Sequence, residues 1–171
     1  MASPIKRHPA IQQLSRDHHF ALLFCWKIRQ GLHKQVETSR MKKYVAYFQQ
    51  HYLIPHFQEE EQILFCLLPD DAQVKKAIGQ HREIEKIVKN QLIAPDRIHN
   101  SLTDDIPALT ALVNLLDEHV RYEERVLFPY LEKQLSEAQL QQVGEQLAHA
   151  QQTQPPDDVY PDAFWAKKNM I

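Results

Sequence analysis

The amino-acid sequence predicts an all-α protein: an antiparallel up-and-down four-helix bundle followed by a short fifth helix. Three observations lead there. Three glycines in 171 residues leave almost no material for the hairpin turns of a sheet. Apolar residues recur at spacings of three and four along long segments. Prolines and capping residues punctuate the chain between those segments.

The first helix is expected from about Pro9 to Leu32, with Ile11, Leu14, Ala21, Leu22, Cys25 and Ile28 on one stripe, His18 among them, and Gly31 marking its end. Thr38 or Ser39 can cap the second, which carries Tyr44, Phe48, Tyr52, Phe57, Leu64 and Phe65 and stops near Pro69. Pro55 lies inside it, so a kink or widening is expected within a turn of His56. Asp70 or Asp71 opens the third helix, which ends before Pro95. The polar stretch from Pro95 to Asp105 reads as a loop, and the fourth helix as running from near Pro107 to about Phe128, where Pro129 bends or ends it. Ser136 with Gln139 forms a capping-box signature for a fifth helix reaching about Ala150. The tail then turns irregular at Pro155 and Pro156, yet its aromatic residues Tyr160, Phe164 and Trp165 are expected to pack back on the bundle or on a partner. Four long helices joined by short connections make the antiparallel bundle the natural arrangement.

Composition sets outer bounds. The length suits a single domain across residues 1–171, with a core at about 8–150 and a tail at 151–171. A net charge of −2 gives no broad electrostatic footprint for nucleic acid or an anionic membrane, and no run of 18 apolar residues could span a bilayer. Lys6 and Arg7 are not followed by the apolar stretch of a signal peptide. Cys25 and Cys66 stand apart, as buried apolar residues rather than a disulfide framework, so a reducing cytoplasm is the expected setting.

Ten histidines are many, and their positions matter more than their number. The segment His56 to Phe65 repeats as His119 to Phe128: histidine, the glutamates at Glu60/Glu123 and Glu61/Glu124, leucine and phenylalanine coincide. The offset is 63 residues (119 − 56), and the same step carries His18 to His81. Each half therefore reads as a lone histidine and, 38 residues later (56 − 18; 119 − 81), a His-x-x-x-Glu pair. Such a pair lies on one helical face, roughly 6 Å apart along the axis, so the imidazole can bind one ion while the carboxylate reaches inward to bridge two. Spacing alone is insufficient, since His33 and Glu37 share it. His33 lies roughly 22 Å along the helix from His18 and reads as surface. For His18, His56, Glu60, His81, His119 and Glu123, offset, flanking residues and helix placement coincide, which favours a metal site over a solvated helical face. His19 competes with His18, but the repeat and the apolar stripe select His18. Glu59, Glu61 and Glu124 read as surface groups or as partners of the ligands.

The chain resembles the hemerythrin-like (HHE cation-binding) domains over roughly residues 8 to 150, in Asp17-His18, His56 to Glu60, His81, and His119 to Glu123 followed by Val-Leu-Phe-Pro. The stretch from Leu135 resembles that family's closing helix. The resemblance implies two irons bridged by Glu60 and Glu123. Oxygen-carrying members have a second histidine four residues after the third-helix ligand; here that position is Glu85, a further candidate ligand. Members that repair iron–sulfur clusters carry a cysteine-bearing N-terminal domain, which is not expected here.

Four imidazoles with two or three carboxylates form a nitrogen and oxygen donor set, which suits iron, with manganese as the rival. The Glu-x-x-His signature of ferritin-like bundles is missing. The cofactor expected is therefore two non-haem irons bridged by carboxylates and an oxo or hydroxo group. An open position in an apolar core suits O₂, NO or peroxide. Phe57, Leu64, Phe65, Leu127 and Phe128 are placed to control access, or simply to fill the core. The leading function is binding or sensing of O₂ or NO, with a link to iron handling. The alternatives are a redox enzyme acting on peroxide or NO, or an iron donor for cluster repair, so enzyme status and oligomeric state stay open. No nucleophile triad, phosphate loop or nucleotide fingerprint occurs, and a sensor would signal through a separate redox or signalling protein.

Overall fold

The computed structural model describes residues 6–97, 101–151 and 160–167, and every regular element in them is helical. Helix α1 spans Gln12–His33 and follows a 3₁₀ turn at Pro9–Ile11. The turn starts at His8, whose Nδ1 accepts from the Ala10 amide at 3.1 Å. Gly31 does not end α1. It lies inside the helix, and the left-handed residue beyond the end is Gln35, at φ 55°. Gly31 answers a packing need instead: a Cβ there would come within 2.6 Å of Met41 Sδ and 2.9 Å of Phe164 Cε2.

Helix α2, residues 38–67, is continuous but changes pitch. Its α-helical pieces, Thr38–Phe48 and Ile54–Glu59, are each followed by a π turn, at Gln49–Leu53 and Glu60–Leu64. The widening expected near His56 is the first of these: Pro55 has no N–H to donate, and the helix loosens in the turn before it. Thr38 is not the cap that its type suggests. Its Oγ1 donates instead to the buried Asp105 Oδ2 at 2.6 Å, which also pairs with Lys42 Nζ at 2.9 Å.

Helix α3, residues 72–92, comprises Ala72–Ile87 and a π turn at Val88–Leu92. As expected, Asp71 caps it, with Oδ1 accepting from Gln73 N at 2.8 Å and Val74 N at 3.2 Å.

Helix α4, residues 102–134, departs from expectation at both ends. It begins at Leu102 rather than near Pro107, after a 3₁₀ turn at Pro95–Arg97, so the expected loop is shorter. The start is set by Asp105, whose Oδ2 accepts from Ser101 N at 2.9 Å and so ties the first turn of α4 to α2. Pro129 neither ends nor breaks it. A π turn at Glu123–Leu127 precedes it, and the helix resumes over Phe128–Gln134 with Pro129 at its second position, where a missing N–H costs least. Helix α5, Glu137–Gln151, carries the expected capping box: Gln139 N donates to Ser136 Oγ at 3.1 Å and Ser136 N to Gln139 Oε1 at 2.9 Å.

In the bundle α1 packs on α2 and α4, and α3 on the same two. The buried apolar residues form two clusters. One, around Phe24, Tyr44, Phe48 and Leu109, is closed by the C-terminal tail. The tail aromatics pack back as expected: Phe164 is buried, the Tyr160 and Trp165 rings lie 4.9 and 5.4 Å from Tyr44, and Arg40 pairs with Asp162 at 2.6 Å. The other cluster, around Leu14, Leu64, Phe65, Leu127 and Phe128, is closed by α5 and the N-terminal turn. Between the two lies a layer of buried histidines and glutamates. Cys25 is buried as expected, but Cys66 is exposed near the end of α2, where its thiol bonds the Gln62 carbonyl of the preceding turn.

Candidate metal centre

Each helix brings its site residue inward between an apolar neighbour from each cluster. His18 of α1 sits between Leu14 and Ala21, and His81 of α3 between Ala77 and Ile84. His56 and Glu60 of α2, and His119 and Glu123 of α4, each lie one turn apart. All six side chains are buried, and Glu60, His81 and Glu123 are wholly out of solvent. Both glutamates open a π turn, which brings the two following core residues, Leu64 with Phe65 and Leu127 with Phe128, inward together.

The six residues form two groups of four that share both glutamates. Donor atoms of His18, His56, Glu60 and Glu123 lie within 4.8 Å of one another, and so do those of Glu60, His81, His119 and Glu123. The carboxylates divide themselves between the groups. Glu60 turns Oε1 to His56 Nε2 at 2.9 Å and Oε2 to His81 Nε2 at 3.1 Å. Glu123 turns Oε2 to His18 Nε2 at 2.9 Å and Oε1 to His119 Nε2 at 3.1 Å.

The imidazoles are held from behind. A carboxylate only accepts, so Nδ1–H of His18 donates to Glu124 Oε1 at 2.6 Å and Nδ1–H of His81 to Glu61 Oε1 at 2.8 Å. Nδ1 of His119 lies 2.7 Å from Gln80 Oε1, and Nδ1 of His56 lies 3.5 Å from Asp17 Oδ2. With the proton on Nδ1, each neutral imidazole presents the Nε2 lone pair to the interior. The rings are also packed: Phe128 stacks on His18 at 5.3 Å, Phe57 on His81 at 3.8 Å and Tyr52 on His56 at 5.4 Å. The Tyr52 hydroxyl donates to the Asp17 carbonyl.

The residues fit a pair of cations. Both oxygens of Glu60 and of Glu123, and Nε2 of His18 and His56, are buried without a hydrogen bond. Leaving one such group unsatisfied costs about 1–3 kcal/mol, and shared cations would satisfy all of them at once. Nε2 of His81 and His119 face each other at 3.1 Å, lone pair to lone pair in their neutral forms, an arrangement a cation between them would relieve.

Protons compete for the same atoms. Burial lowers the affinity of His18 and His81 for a proton, but the carboxylates beside them, Glu123 first, then Glu124 or Glu61 and Glu60, outweigh it and raise both well above the usual value. His56 is raised to about 9 in the same way, against burial, chiefly by the charge of Glu60. Burial pushes Glu60 and Glu123 up, but the histidines around them hold both well below the usual carboxylate range. Glu124 falls to about 2, its burial outweighed by the His18 hydrogen bond.

The six residues singled out in the sequence thus come together, and Glu85 does not join them. Its carboxylate pairs with Arg82 at 3.0 Å, and it belongs to neither group of four. The reason is helical phase. On α1 and α3 the residue three after the histidine, Ala21 or Ile84, turns inward, and the residue four after it turns out, as the exposure of Leu22 shows. His19 is exposed, and His99 lies outside the described residues. Glu61 and Glu124 hold His81 and His18 from behind, whereas Asp17, Gln80 and the buried Arg7 were not singled out by chemistry. The signal for two of them was available, since the 63-residue step carries Asp17 to Gln80.

A family profile described as the hemerythrin HHE cation-binding domain matches residues 10–131 and, in a second overlapping match, residues 78–153. No curated protein and no solved structure matches the chain. The profile spans all four bundle helices and every residue of both His/Glu groups, and the chain belongs to the hemerythrin HHE cation-binding domain family.

Proposed function

We propose that the centre holds two iron ions, one in each group of four, and that the protein binds or senses a small diatomic ligand, O₂ or NO. The observation that carries this reading is the donor count. Each group offers two imidazole nitrogens and one oxygen from each of two shared carboxylates, four protein donors where a first-row ion accepts up to six. Positions remain for a bridging oxo or hydroxo oxygen and for an external ligand. Bound iron would supply a reducing, ligand-accepting centre for such molecules.

The chain's own residues do the rest. The Nδ1 partners hold the rings in one tautomer and orientation. Phe57, Phe65 and Phe128 line the imidazoles with apolar surface, which keeps bulk water and large molecules out and admits small ones. The outward Glu85 removes an anionic ligand that would favour the oxidised state, which supports reversible binding over irreversible oxidation. In this reading a sensor passes its state to a separate protein.

The test is anaerobic loading with ferrous iron, elemental analysis, and optical and Mössbauer spectra with O₂, NO and peroxide added in turn. The expected result is two irons per chain and a reversible spectral change with O₂ or NO. Catalytic consumption of peroxide or NO would replace binding with a redox activity, and one iron per chain would remove the paired centre.

A further inference from the structure

The 63-residue repeat extends to the side chains behind the imidazoles, and their charge differs at one point. The pairs His18–Glu124 and His81–Glu61 match in kind and length, at 2.6 and 2.8 Å. Each of these carboxylates also has an arginine: Arg7 Nη2 lies 2.9 Å from Glu124, and Arg82 Nη2 lies 2.5 Å from Glu61. Each arginine reaches a further glutamate, Glu132 at 2.8 Å or Glu85 at 3.0 Å. These outer groups carry the same charges in both halves. The bridging carboxylates are shared evenly as well.

The remaining pair differs. Behind His56 stands Asp17, a buried carboxylate 3.5 Å from Nδ1; behind His119 stands Gln80, a neutral amide at 2.7 Å. The other contact of the Asp17 side chain is Gln13 Nε2 at 3.1 Å, and no lysine or arginine among the described residues pairs with it. At 3.5 Å Asp17 acts on His56 through charge more than through a hydrogen bond, and burial strengthens that effect. A negative charge behind an imidazole makes its Nε2 the stronger donor and favours the more highly charged cation. A neutral amide orients the ring without adding charge.

We propose that the two metal positions are unequal: the one at His18 and His56 binds its ion more tightly and favours the higher oxidation state, and Asp17 opposite Gln80 sets the difference. This rests on the reading of the centre as a two-metal site. The ion at His81 and His119 is then the exchangeable one.

The experiment is anaerobic calorimetric titration with cobalt(II), alongside elemental analysis, for the full chain and for Asp17→Asn and Gln80→Glu. Wild type is expected to bind two ions in two resolved steps. Asp17→Asn weakens the tighter step by about tenfold and leaves the weaker one in place, whereas Gln80→Glu tightens the weaker step by about tenfold. Because the two variants act with opposite sign, a loss of folding cannot imitate both. His119→Ala, scored by the same titration, deletes the weaker step. Two ions bound with equal affinity, or with steps that neither variant moves, would overturn the inference and leave the two-metal reading standing. One ion or none in wild type would overturn both.

Discussion

Laid over each other with a 63-residue shift, the two helical hairpins, α1 with α2 and α3 with α4, agree chiefly where the His/Glu site needs agreement. The histidines, the shared glutamates, the Glu124 and Glu61 partners, the stacked Phe128 and Phe65, and the π turns at Glu123–Leu127 and Glu60–Leu64 all correspond. Elsewhere they diverge. Phe57, stacked on His81, corresponds to Val120, and the turn-loosening Pro55 to Glu118. A bundle tolerates many apolar combinations of similar volume. A shared pair of carboxylates tolerates few, because each oxygen must face a different group of imidazoles.

The strongest way to break the comparison, on the proposed two-metal reading, is to remove one shared carboxylate from either half. Glu60→Ala and Glu123→Ala should have the same effect, metal content falling from two ions per chain to one or none. Unequal losses, read by elemental analysis, would show that one glutamate serves a single position.

A second test uses protons against both halves at once. The raised His18, His56 and His81 stabilise the metal-free fold fully below their ordinary value of 6.5, and that contribution is lost as pH rises through their raised values, about 9 for His56. The lowered Glu60 and Glu123 contribute above 4.5 and lose their contribution as pH falls. Metal-free protein should therefore melt highest between about pH 4.5 and 6.5. Metal needs neutral imidazoles, so the rise in melting temperature on loading should grow from pH 6 to pH 9. A metal-induced shift that shrinks over that range would contradict the ligand assignment.

The arginines sharpen the comparison, since they play matching parts at different depths. Arg7 is buried, with its guanidinium 5.3 Å from the Phe128 ring centre, whereas Arg82 has a side chain 54% exposed. Arg7→Ala should cost about 2 kcal/mol, as expected for buried hydrogen bonds to charged partners. Arg82→Ala should cost about 0.5 kcal/mol or less. Denaturant melts of the two variants decide it. The smallest effect is expected at Glu85: Glu85→Ala should keep two ions per chain and an unchanged optical spectrum. Loss of an ion there would return Glu85 to the ligand set.

The helices, most of their ends and the six ligand candidates could be read from the sequence because each rests on local chemistry or on a repeated spacing. The Asp71 cap and the Ser136–Gln139 box involve neighbours in the chain. What could not be read depended on other helices. The start of α4 hangs on Asp105 meeting Thr38 and Lys42 of α2. Gly31 looked like a terminator and proved to be the gap into which Phe164 and Met41 pack.

The sequence by itself determined an all-α bundle with a doubled His-x-x-x-Glu site, because helical periodicity and a 63-residue offset are properties of order along the chain. Only the tertiary structure decided which atoms behind the ligands carry charge, and that Glu85 faces Arg82 rather than the interior. Those outcomes depend on helix phase and on which side chain a neighbouring helix presents, and both are set when the four helices pack.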